Sequence, residues 1–395
     1  MSLQRRRFTA ALATAALPIG FPALAQKRSF PGVTDTEIRI GSTAPLSGPG
    51  APWSNANKTM VAYFAMVNAQ GGINGRKVNF MLLDDGYSPP KTVEQTRKLV
   101  EREEVAFMTA QVGTVTAASV RKYLNEAKVP QLFVATGADL WIDELNQFPY
   151  SLGWMPLYSD EGRAIGRHLL AEKPDAKVSV LYQNDDAGRA YYKGLKEIAG
   201  KLVVRDASYE ATDPTVDSQL IGLQQSGADV LCVFGTGKVA SQAIRRGHDS
   251  RWRPQIYVAQ ATSSVPQVLQ PAGLDKSKGV LCANFAKDLA DPVWADDKGM
   301  RDVNAMLDQY GPKLMRDTLA SLGVGLGLTI TQLLRQCGDD LSRDNLLRQT
   351  MSLDLDIPTL LPGLRVKTTA KDRHPVRALR IQQFDGATWQ LVAAR

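Results

Sequence analysis

The sequence is poor in the residues that build metal and redox centres. It has three histidines, His168, His248 and His374, far apart, and three cysteines, Cys232, Cys282 and Cys337, with no C-x-x-C pair. Neither set has metal-ligand spacing, so no metal or other cofactor is expected. An odd count leaves at least one thiol unpaired, and all three read as small buried hydrophobes. No apolar run in the body of the chain approaches the ~20 residues that span a bilayer. A G-x-S-x-G elbow and a G-x-x-x-x-G-K-[ST] phosphate loop are both missing. Gly323-Val-Gly325-Leu-Gly327 lies inside a helical pattern, not after a strand, which suits close helix packing. Asp84-Asp85 ends a strand without a positioned nucleophile or metal-spaced histidine, so a solvated loop or hinge is preferred to a catalytic pair. An exported hydrolase using these two acids is the distant alternative. Asp185-Asp186 opens a helix, where acids are favoured by the dipole. No catalytic constellation assembles, and the chain is not expected to be an enzyme.

Acids are also missing from the first 25 residues, which hold Arg5, Arg6 and Arg7. Positive charge, a modest apolar stretch and Ala23-Leu24-Ala25 follow the order of a secretory signal, with Gln26 as the new N-terminus. Arg-Arg-x-Phe resembles a twin-arginine signal; a conventional signal with surplus arginines is the alternative. No cysteine at the cleavage point supports a lipid anchor. Residues 1–25 are therefore expected to direct export, with no membrane insertion of the mature chain.

The remainder, about 370 residues, is globular in composition, 44% hydrophobic and 22% charged, and long enough for two domains at ~150 residues each. Subtracting the three arginines from the formal charge of +7 leaves +4. The densest basic cluster, from Arg245 to Arg253, reads as a solvated helix end, although an acidic partner surface would also suit it. Nucleic acid is not an expected partner.

Apolar runs alternate with helix-period segments. Expected strands are 37–46, 78–83, 105–109, 132–135, 178–182, 203–204, 230–234 and 256–259, with helices between them. Such alternation implies parallel sheets covered on both faces. Two β/α series meet near Phe148–Trp154, with a second changeover around Gly279–Phe285. A long helix follows (Leu319, Leu322, Leu326, Ile330 and Leu333 on one face), then one over 342–351. The end of the chain, turning at Asp385-Gly386, reads as a hairpin.

In this order and spacing, Ile40–Pro49, Asn68–Lys77, Leu83–Pro89, Gln183–Gly188 and Leu361–Val366 with Trp389 resemble the periplasmic solute-binding proteins of leucine/isoleucine/valine-type ABC importers. The resemblance implies an α/β fold of two doubly wound parallel-sheet lobes joined by three crossover segments, the type I periplasmic-binding fold. Lobe 1 would comprise 26–148 plus 283–354, and lobe 2 would comprise 149–282 plus 355–395. It implies a periplasmic location, a small-molecule ligand in the interlobe cleft and a membrane permease as partner. A ligand-sensing regulatory subunit of the same fold is the alternative.

The resemblance places a ligand carboxylate on Gln111-Val112-Gly113-Thr114 and Ala135-Thr136-Gly137, where backbone N–H groups and hydroxyls hold anions. Thr114 as a plain N-cap is the competing reading. Trp53 would cover the ligand, with Tyr158, Asp186 and Thr236 as further contacts. Where amino-acid binders of the family carry an acid for the ammonium group, this chain has Gln260. Gly235-Thr236-Gly237 and Ala187 stand where aromatics are expected. A buried ammonium without a carboxylate costs several kcal/mol, so a carboxylic acid without the amino group, or a neutral amide-like solute, is the expected ligand.

Overall fold

Apolar strands buried on both faces need helices on both sides, and the chain supplies them in alternation. The computed structural model describes residues 30–48 and 50–392; the signal expected over residues 1–25 lies outside them. The first sheet contains β1 (Glu37–Ala44), β2 (Lys77–Asp84), β3 (Met108–Thr109), β4 (Gln131–Val134) and β5 (Ser151–Gly153), ordered β2-β1-β3-β4-β5 and parallel throughout. The second contains β6 (Val178–Gln183), β7 (Val203–Tyr209), β8 (Val230–Phe234), β9 (Gln255–Val258) and β10 (Leu281–Asn284). A two-stranded pair, β11 (Asp354–Leu355) and β12 (Val366–Lys367), lies apart. The closing hairpin, β13 (Arg380–Phe384) and β14 (Trp389–Leu391), joins the second sheet antiparallel to β10, giving β14-β13-β10-β9-β8-β6-β7.

The α/β fold with two sheet-centred lobes is as expected, and β5, which the expected boundary at 148/149 assigns to lobe 2, pairs with β4 in the first sheet. The chain passes from β5 to β6, then from β10 to the helices Lys298–Tyr310 and Thr318–Cys337, which pack on the first-sheet helix Asn55–Ala69, and finally back to β13. β8 and β10 are buried at every position, as continuous apolar runs in a covered parallel sheet should be. β7 differs: it runs on to Tyr209 and is mostly exposed, because it is an edge strand and needs only one packed side. Within the expected strand 105–109 only Met108 and Thr109 pair as a strand, although the whole run is buried.

Gly323 and Gly327 face the helix Asn55–Ala69 so closely that an added Cβ would lie 2.2 Å from the Ala56 carbonyl oxygen and 2.5 Å from the Tyr63 ring. These glycines serve helix packing, as expected. Asp84 and Asp85 are not the solvated loop expected of them. Asp85 is fully buried, accepting from the Tyr87 N–H at 3.0 Å and the Thr92 hydroxyl at 3.2 Å. Asp84 accepts from the Leu46 and Gly86 N–H groups and from Lys91 Nζ, all at 2.9 Å. The pair therefore organises the turn after β2.

A buried polar junction ties the sheets together. Asp317, at the start of the long helix, accepts from Asn55 Nδ2 at 2.7 Å on the first-sheet side. From the segment after β9 it accepts from the Ser264 hydroxyl at 3.2 Å and from Gln267 Nε2. Asp288 lies beside it, accepting from Thr318; burial above all, with the Asp317 charge adding to it, pushes its carboxyl up to about 7. The three cysteines are buried and free. Among the described residues no helix is long and apolar enough to cross a membrane, and no cluster has the make-up of a metal site.

Candidate functional site

Ligands of open α/β sheets bind beyond the carboxyl ends of the strands, and here those ends meet across a cavity of about 60 Å³. The first-sheet wall includes Trp53, Tyr87, Val112, Gly113, Thr114 and Ala135. The opposite wall includes Gln183, Asp185, Ala187, Tyr191, Gly235 and Gln260, with Met155 and Tyr158 from the crossover and Leu319 and Leu322 from the long helix. Among the described residues no lysine, arginine or histidine lines it.

Gly113 has φ +102°, and a Cβ there would lie 2.3 Å from the Thr116 hydroxyl and 2.8 Å from the Tyr87 ring. Only glycine lets the chain turn so tightly into the helix Thr114–Ser119. Gly113 itself is the N-cap, and Thr114 makes no capping bond, so the plain-cap reading of Thr114 fails. Its hydroxyl instead lies 2.6 Å from that of Thr136, and one of the two retains a hydrogen for another acceptor. Burial holds the Tyr158 phenol above its ordinary range, against the opposing pull of Thr136 and Gly137, so it is a neutral donor.

On the other wall the helices Tyr158–Glu172 and Asp186–Ala199 touch backbone to backbone; a Cβ on Gly194 would lie 1.9 Å from the Ser159 carbonyl oxygen. That approach stacks Tyr158 on Tyr191 at 4.3 Å, and Tyr191 on Phe234 at 5.1 Å. Trp53 meets Tyr87 edge-on at 5.4 Å. Gln183 Nε2 reaches across to the Tyr87 hydroxyl at 3.5 Å. A ring-lined slot results, though the rings are not those expected. Where Gly235 stands, the Tyr209 hydroxyl takes the space that a Cβ would need.

Seven of the expected residues line the cavity: Trp53, Val112, Gly113, Thr114, Ala135, Tyr158 and Gln260. Gln111 does not, because its amide is committed to the first-sheet core, donating to Thr43 at 2.9 Å and accepting from Gln131 at 2.7 Å. Thr136 and Gly137 stand one layer behind, Gly137 accepting the Tyr158 N–H at 2.6 Å. The Thr236 N–H is held by the Tyr209 hydroxyl at 2.7 Å. Asp186 faces solvent and pairs with Arg189 at 3.0 Å. The carboxylate that reaches the cavity is Asp185, which caps the helix Asp186–Ala199 by accepting the Gly188 N–H at 2.9 Å and also accepts from Gln183 Nε2. Burial raises its pKa.

Sequence reasoning missed Tyr87, Gln183, Asp185 and Tyr191 as cavity residues, and it missed Glu161 behind them. Glu161 is buried on the apolar face of its helix, with Ile165 and Leu169, and accepts the Gln260 N–H at 2.6 Å. Burial pushes its carboxyl up to about 8, so at neutral pH it is mostly protonated and is no counter-ion. Its signal in the sequence was an acid at a helix position that the apolar period assigns to the core.

The sequence model of the periplasmic binding protein family matches residues 37–388. Leu/Ile/Val-binding protein homolog 3 of Brucella melitensis is 24% identical over 67% of this chain and 72% of its own length; homologs 1 and 2 of Brucella abortus are matched over 63% and 61% of theirs. A branched-chain amino acid ABC transporter protein from Thermus thermophilus with bound valine has the same fold (TM-score 0.81, 16% identity, 91% of this chain and 96% of that one). So does an ABC-transporter solute-binding protein from R. palustris in complex with benzoate (TM-score 0.76, 22% identity, 90% and 96%). The family binds solutes and is not catalytic, and the main expectation, an ABC-importer solute-binding component, agrees with it, whereas the sensor alternative gains no support. With two sheet-centred lobes, an interlobe cavity, the type I fold and a match across nearly the whole described chain, this protein belongs to the periplasmic binding protein family.

Proposed function

We propose that the mature chain works in the periplasm, captures a small organic acid between its lobes and delivers it to the permease of an ABC importer. The observation that carries this reading is the cavity wall itself. Its first-sheet side offers the Thr114 hydroxyl and the crossover adds the Tyr158 hydroxyl, both suited to a carboxylate. Its opposite side offers the neutral Gln260, behind which Glu161 is held protonated. Asp185 has a donor on each oxygen and caps its own helix start, and burial raises its pKa, which disfavours it as a free carboxylate in the cleft. Rings on both walls flank the body of the solute, which favours a flat or branched apolar middle. Closure of the lobes excludes water and strengthens the polar contacts. The relatives named for leucine, isoleucine and valine and the benzoate-bound protein from R. palustris bracket this ligand class.

The test is calorimetric titration of leucine against its 2-oxo analogue. The 2-oxo acid is expected to bind and leucine to bind weakly; a Gln260→Glu variant should reverse the order. Tight leucine binding with no binding of the deaminated acid refutes the acid reading and makes Asp185 the ammonium partner.

A further inference from the structure

We propose that the cavity has a second polar pole, at Gln260, that selects solutes carrying a hydroxyl or carboxamide at the end remote from the carboxylate. This rests on the acid-binding reading above. Gln260 is 2% exposed, lines the cavity, and neither its Nε2 nor its Oε1 has a hydrogen-bond partner. Its backbone is fixed, because its N–H donates to Glu161 at 2.6 Å. The residue is therefore held in place with both amide atoms unused.

Beside it on the same wall, Gln183 Oε1 is also buried and unpartnered, while Gln183 Nε2 is held by Asp185. Each buried polar atom left unpaired costs about 1–3 kcal/mol, so the solute that belongs here supplies the missing partners. An ammonium group only donates and would leave Gln260 Nε2 unpaired. A carboxylate or ketone only accepts and would leave Oε1 and Gln183 Oε1 unpaired. A hydroxyl both donates and accepts and so satisfies the Gln260 amide from both sides, its single hydrogen leaving Gln183 Oε1 aside, whereas a primary amide, with two N–H hydrogens and a carbonyl, can supply all three missing partners. Aromatic rings flank the cavity on both walls, so an aromatic acid with a hydroxyl para to its carboxylate carries the two polar groups at opposite ends of a flat body suited to them.

The probes are benzoate and 4-hydroxybenzoate, titrated calorimetrically into the mature protein and into Gln260→Met, which keeps the side-chain length and removes the amide. 4-Hydroxybenzoate should bind wild type at least roughly tenfold more tightly, the equivalent of one hydrogen bond to a neutral group. In Gln260→Met that margin should vanish while benzoate affinity holds. Gln260→Asn, which withdraws the amide by one methylene, makes the same comparison should the first variant fold poorly. Equal binding of the two acids by wild type overturns the second pole, as does a margin that survives both substitutions. Failure of both acids to bind, with leucine bound instead, overturns the underlying acid reading and this inference together.

Discussion

The buried Glu161 allows a pH prediction that isolates one group. Its folded pKa is about 8 against an ordinary 4.5, and burial is the cause. A raised pKa means that the folded protein keeps a proton that the unfolded chain releases. Its contribution to stability is therefore fully present below about pH 4.5 and is lost as the pH rises through 8. At 1.36 kcal/mol per unit, the loss between pH 5 and pH 8 comes to about 3–4 kcal/mol. Glu161→Gln keeps an acceptor oxygen for the Gln260 N–H and removes the titration. Asp288 and Asp317 also have raised pKa values, so the wild-type slope alone is not diagnostic; the difference between variant and wild type is. Calorimetric unfolding of both proteins should find them close at pH 5 and the variant several degrees more stable at pH 8. A difference that stays constant across that range refutes the assignment of Glu161 as a protonated group.

Two further substitutions probe the contacts that hold the fold. Gly323→Ala forces a Cβ to within 2.2 Å of the Ala56 carbonyl oxygen, which the two helix backbones can relieve only by separating; about 1–3 kcal/mol of destabilisation is expected in urea unfolding, and a change under about 0.5 kcal/mol would contradict the packing role. Asp317→Ala strips the acceptor from Asn55, Ser264 and Gln267 at once, so a loss of about 3 kcal/mol is expected. Because those donors come from both sheets, the same variant should lower affinity for any cleft ligand. Unchanged affinity with reduced stability would mean that the junction is indifferent to lobe closure.

The sheets were legible because parallel strands covered on both faces must be continuously apolar, and Val230–Phe234 and the run through Leu281–Ala283 can be little else. The glycines of the long helix were legible for a related reason: Gly323 and Gly327 break no helix, so they had to serve an approach. The expected strand 203–204 stops short of the observed edge strand β7 because the residues that follow, Arg205 and Asp206, are exposed and carry no apolar signal. The first-sheet wall was reached through family resemblance, and Thr114 stayed in it because Gly113 leaves the chain no other way to turn. The opposite wall was misread by a single position at Asp185 and Asp186. Both acids suit a helix start, and only the cap geometry decides which of them turns inward. Tyr87 and Tyr191 were invisible for a different reason. Their rings enter the cavity through contacts between segments far apart in sequence, Tyr87 against Trp53 and Gly113, Tyr191 through a helix pair pressed together at Gly194. Replacing the aromatics expected at 187 and within 235–237 by small residues does not empty the cleft; it moves the ring surface to other elements and leaves the polar atoms of Gln183 and Gln260 without partners between them.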